Sequence, residues 1–228
     1  YKGFSNGDLL YVYENAVKKE LDISVTPQAI EVFLHGNNNV HNFDIWQLSK
    51  EDFEQWNHIS EFTAMLIQNS YNQGHNDFIL PVLVDVNNNC HEHDYGLLCG
   101  KEKNRINLSI KGESALQYGQ NLTNANLNFL GSTNVVCGSS CTNSKIIFKA
   151  NAGKLNAAFS KNCDVYFYGN IEKGCGENSR FTRFYSPHKE TLDKIAKNAG
   201  KTCSYYLLDD EGNAQPYGLK TKIFSYFR

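Results

Sequence analysis

The sequence predicts an α/β fold: one domain over residues 1–228, built on a mixed, mostly parallel central sheet flanked by helices, with β-hairpin insertions. Three observations lead there. Short β-type apolar runs alternate with stretches of helical period over much of the chain. The run Asp77–Val86, DFILPVLVDV, is almost entirely apolar, as a strand covered on both faces should be. The stretch 77–110 and the C-terminal end pair short strands with turn residues, which favours hairpins and makes the sheet mixed rather than purely parallel. No internal repeat and no linker rich in Pro, Gly or Ser stands out, so one domain is the expectation.

Taken in order, residues 8–21 place apolar side chains on one helical face, with Asp8 as the cap and Lys18 and Lys19 at the far end. Ile30–Leu34 reads as a strand ending at His35-Gly36, and 40–48 as a second. Ser49-Lys-Glu-Asp52 resembles a capping box and opens a helix over 50–71, striped by Phe53, Trp56, Ile59, Phe62, Met65 and Leu66 and stopped by Gly74. In the strand 77–86, Pro81 demands an edge or a bulge. Tyr95–Leu98 and Ile106–Ile110 suggest a hairpin across 100–104, and 112–131 reads as polar and irregular with one short helix. Residues 146–149 are apolar and ambiguous; further strands are expected at 164–168, 181–185, 203–208 and 223–227, with helices at 153–160 and 188–198.

Composition narrows the function classes. A net charge of −2 and a pI near 6.4 argue against a nucleic-acid partner held by bulk phosphate attraction. No apolar run approaches the roughly 18 residues of a bilayer-spanning helix. With no initiator Met and no signal peptide, Tyr1 reads as a processed or cut end. Seven cysteines, an odd number, fit either three bridges plus a free thiol in an oxidising compartment or seven buried thiols in a reducing one. The sequons Asn107-Leu-Ser and Asn121-Leu-Thr tilt the balance toward a secreted or exported protein over a cytoplasmic one.

The sharpest candidate site pairs two distant stretches. In TNVVCGSSCT, residues 133–142, the run Val135-Val136 opens into a small-residue turn bearing Cys137 and Cys141. His35 ends the apolar run IEVFLHG. A thiolate with a neighbouring imidazole makes a nucleophile, and N–H groups of Gly138, Ser139 and Ser140 supply an oxyanion hole. The layout of an apolar block ending in His-Gly and a later one ending at Cys resembles the caspase and gingipain-like cysteine peptidases. A helix followed by DVYFYG, 164–169, adds to the likeness. The resemblance covers 30–36 and 133–169, and implies a cysteine-dependent hydrolase, a peptidase or amidase, acting on protein or peptide substrates.

Other readings stand beside it. The turn Gly138-Ser-Ser-Cys141-Thr142 also looks like that of glutamine-deamidating toxins, and Cys175 with His188 makes a second Cys/His pair. An effector or toxin domain accommodates either. Cys90, His91, His93 and Cys99 are of types that suit zinc, although the chemistry above requires no cofactor. From a different class, a non-catalytic exported binding module, stapled by disulfides, would recognise partners through exposed Tyr and Asn.

Overall fold

A computed structural model of the chain describes residues 26–28, 30–31, 63–64, 66–82, 98–113 and 117–218. Their frame is an eight-stranded sheet in strict sequence order: β1 (Asp77–Pro81), β2 (Ile106–Lys111), β3 (Ala125–Phe129), β4 (Lys145–Phe148), β5 (Asp164–Phe167), β6 (Arg183–Ser186), β7 (Ser204–Leu208) and β8 (Ala214–Pro216). Every pair from β1 to β7 is parallel, and only β8 turns back antiparallel onto β7. The mostly parallel sheet of the sequence reading is therefore present.

The connections differ from expectation. From β2 to β6 the register advances 19 residues at each step, Asn107 to Asn126 to Lys145 to Asp164 to Arg183. Parallel bridges recur elsewhere on each coil, through Thr123, Thr142, Lys161 and Arg180, and again through Thr133, Ala152 and Ile171. The chain thus winds as a β-solenoid, each coil lying on the one before. A period near 20 is the signature of such repeats, so the sequence does contain an internal repeat. Flanking helices are absent from the described connections between β2 and β6: residues 153–160, expected as a helix, are turns, and 125–129, expected within an irregular stretch, form β3.

A 19-residue coil must bend sharply several times, and the backbone shows how. Left-handed residues recur in columns at Gln117, Val136 and Leu155, at Gly119, Gly138, Ala157 and Gly176, at Asn121, Ser140, Phe159 and Asn178, and at Asn124, Asn143, Asn162 and Phe181. Gly and Asn adopt this conformation most readily, and they fill much of two columns. The stretch 133–142 is itself one of these bends: Val136 has φ +62°, and 137–140 are a turn rather than the end of a strand.

Inward side chains form the core. Leu108, Leu127, Ile146, Val165 and Phe184 share one buried row, and Ile110, Phe129, Phe148 and Phe167 the next. Phe129, Phe148 and Phe167 stack with ring centroids 5.0 and 4.8 Å apart, matching the separation of neighbouring strands. Helix α1 (residues 63–72) covers the first coil, with Ile67 fully buried and the Gln68 side chain accepting from the Cys99 N–H. Gly74, at φ +103°, ends it as expected. Helix α2 (Lys189–Ala196) interrupts the last coil and buries Leu192 and Ile195. At the C-terminal end β8 returns antiparallel onto β7 across the turn at Asp209–Asn213, whereas the return strand expected at 223–227 lies outside the described residues. The first arm of the hairpin expected at 95–110 lies largely outside them too.

Candidate functional site

The thiols are interior groups. Cys137 and Cys141 are fully buried, and Cys163 and Cys175 nearly so. Their positions repeat around the coil, and so do their hydrogen bonds. The Cys141 thiol donates to the carbonyl of Gly119, 22 residues back. One coil on, the Ser160 hydroxyl reaches Gly138 O, also 22 back, and on the next Ser179 reaches Ala157 O at the same separation. Cys163 donates to the carbonyls of Lys161 and Cys141, and Thr182 donates in the same two directions, to Arg180 and Ser160. Cys175 donates to Gly153 O at 2.9 Å. These thiols therefore do the work of Ser and Thr in neighbouring coils, tying one coil to the last.

Their acidity agrees with that role. Burial raises the pKa of Cys141, and nearby Cys163 raises it further. Burial lifts Cys163 to about 11 and Cys175 to about 12. A reactive thiol needs the opposite shift. The six described cysteines, 99, 137, 141, 163, 175 and 203, are free thiols; Cys90 lies outside the described residues.

Two of the three expected oxyanion donors are engaged as well. Gly138 N–H donates to Tyr118 O, and Ser140 N–H to Ala158 O. Cys137 N–H donates to Oδ1 of the fully buried Asn156, whose amide also reaches Thr133. Ser139 is buried. His35 lies outside the described residues, and Ile30 and Glu31, expected to begin its strand, are helical. In the second Cys/His pair, Cys175 points inward as above, while the exposed His188 ring contacts Tyr168 O at 3.1 Å. Of the zinc candidates, Cys90, His91 and His93 lie outside the described residues; Cys99 is exposed, and no metal-ligating cluster occurs among the described residues.

What the sequence reading did not single out is the outer face of the sheet. Its first row runs Asp77, Asn107, Asn126, Lys145, Asp164 and Arg183. The Asn126 amide donates to Asn107, and the Asn107 amide to Asp77. Arg183 grips Asp164 through two bonds of 2.5 and 2.7 Å, which raises the guanidinium pKa. The second row runs Ile79, Ser109, Asn128, Ile147, Tyr166, Tyr185 and Tyr206. Its three tyrosines stack at 4.4 and 4.9 Å. Burial, then the Asp164 charge, pushes Tyr185 up to about 12. Lys145 sits over the Tyr166 ring and Lys149 over Tyr168, at 4.9 and 4.6 Å. The signal for this face was Tyr166 and Tyr185 recurring at the 19-residue coil spacing, visible only once the period is found.

Among the described residues no helix is long and apolar enough to cross a membrane. No family model, curated protein or solved structure matches the chain.

Proposed function

We propose that this chain is a non-catalytic binding module that recognises a protein or peptide partner through the outer face of its sheet. One observation carries the reading: Cys141 occupies the position of Ser160 and Ser179 and makes their hydrogen bond, which gives it a structural duty. The outer rows, by contrast, vary from coil to coil and end in a Tyr, Lys and Arg cluster of the kind enriched at protein interfaces. Stability comes from coil-on-coil packing and hydrogen bonds rather than from the disulfides of the original expectation. An exported setting belongs to this reading. Of the two sequons, Asn121 stands exposed on a turn, whereas the Asn107 side chain is engaged within the outer row.

Two measurements test it. Iodoacetamide labelling of the folded protein should leave Cys137 and Cys141 unmodified, with both labelled after denaturation. Rapid labelling of either in the folded protein would overturn the module and restore the cysteine hydrolase or deamidase. Peptides selected from a display library on the native protein should lose binding to a Tyr166→Asn/Tyr206→Asn variant, which carries the residue type of Asn128 in the same row. Undiminished binding would sink the outer-face assignment.

A further inference from the structure

At two left-handed columns the later coils break the pattern of the earlier ones. The column of Asn121, Ser140 and Asn178 holds Phe159 at φ +58°, and that of Asn124, Asn143 and Asn162 holds Phe181 at φ +52°. A bulky aromatic is a poor occupant of this conformation. Neither ring gains burial in return, since Phe159 is 55% and Phe181 58% exposed. Backbone strain combined with an exposed apolar ring marks a surface retained for contact.

Beside the rings runs a row of cations. Lys161 and Arg180 are bridged across adjacent coils. On the next coil Gly200 takes that place, its N–H donating to Ser179 O as the Arg180 N–H donates to Ser160 O, and Lys201 follows it in the adjoining turn. Earlier coils place Thr123 and Thr142 there. All three cations are exposed, and none is ion-paired among the described residues. Glu177, one turn away, folds its carboxylate back over Gly174. The charge is also regional: residues 98–218 carry fifteen Lys and Arg against ten Asp and Glu, while residues 1–97 carry four against fourteen.

We infer that this corner, Phe159, Lys161, Arg180, Phe181 and Lys201, docks on an anionic lipid surface. The corner is a bend of the solenoid and therefore convex, so its rings project. Projecting phenyls with no polar handle suit the headgroup–acyl boundary, and the cations suit lipid phosphates and carboxylates. Single-stranded nucleic acid would instead favour a basic groove with ring faces along its floor. This surface is separate from the outer sheet face, and either assignment can fail without the other.

The test is co-sedimentation of the chain with phosphatidylcholine vesicles, with and without phosphatidylserine. Wild type should bind only the anionic vesicles, more weakly as salt rises. Phe159→Ser with Phe181→Asn should weaken binding about ten-fold or more. Lys161→Thr and Arg180→Thr should each weaken it about five-fold. Every substitution installs a residue that another coil already carries at that position, and circular dichroism melts should show each variant folded. Equal binding to neutral vesicles, wild-type binding by the variants, or binding to a single-stranded oligonucleotide without vesicle binding would each overturn the inference.

Discussion

The coils bearing β2 and β3 and those bearing β4 to β6 follow one backbone path but turn different chemistry outward. The earlier pair displays Asn107, Asn126, Ser109 and Asn128 on the sheet, with Thr123 and Thr142 at the corner. The later coils display Lys145, Asp164, Arg183, Tyr166 and Tyr185, with Lys161 and Arg180 at the corner. Inside there is no such divide: Leu108, Leu127, Ile146, Val165 and Phe184 occupy one buried row throughout. An inward side chain must fit the coil above and the coil below, so it is constrained twice. An outward one also meets the coils on either side, as Tyr185 meets Tyr166 and Tyr206, but its far side faces solvent rather than packed core. Chemical variety accordingly accumulates outside, and here the charged and aromatic residues accumulate on the later coils.

The largest test of that division is Phe148→Ala set against Ile147→Asn, adjacent residues on opposite faces of β4. Phe148 is the middle ring of the inner stack, and its truncation should cost about 3–5 kcal/mol in a denaturant titration. Ile147→Asn installs the residue of Asn128 in the same row and should cost about 1 kcal/mol or less. Comparable losses would mean that inside and outside are not distinct.

Next comes alkaline pH. The folded-state pKa of Cys163 is raised to about 11 and that of Cys175 to about 12 from an ordinary value of 9.0. Between those limits the unfolded chain releases thiol protons that the folded chain retains. Stability is therefore fully present below pH 9.0 and falls as pH rises through the folded values. Each thiol should account for about 1 kcal/mol lost from pH 8 to pH 10, measured by denaturant unfolding. Cys163→Ser, which installs the residue found at Ser144 in the same column, should flatten that slope. A slope unchanged by the substitution would mean that Cys163 is already open to water.

The smallest effect separates the bends from the strands. Ala157 stands at φ +53° in a column otherwise held by Gly119, Gly138 and Gly176. Ala157→Gly should be neutral or should stabilise by up to about 1 kcal/mol, because the left-handed strain is relieved. The reverse change, Gly176→Ala, should destabilise, since the new Cβ would lie 2.8 Å from the Phe184 ring. A destabilised Ala157→Gly would count against the column assignment.

Strand-forming stretches were readable one at a time. Ile106–Lys111, Asp164–Phe167, Ser204–Leu208 and helix Lys189–Ala196 lie where apolar pattern and propensity put them, within a residue or two. β3 was missed because ANLNF carries two Asn on its outer face, which local propensity counts against a strand. The helix expected at 153–160 failed for the opposite reason, because Leu155, Ala158 and Phe159 imitate a helical face within a chain of turns. The period itself was in the sequence, in Phe129, Phe148 and Phe167 and in Asn124, Asn143 and Asn162, each set spaced by 19 residues.

The sequence by itself determined where β2, β5, β7 and α2 lie, and that the sheet is mostly parallel, because these follow from local preference and burial period. Tertiary structure decided where the cysteines sit and what their thiols touch. A thiol next to a Gly-Ser-Ser turn reads as a nucleophile until the coil one step back places a carbonyl in front of it and closes the core around it. Whether that sulfur meets a substrate or a backbone oxygen depends on contacts 22 residues away along the chain, which no local pattern encodes.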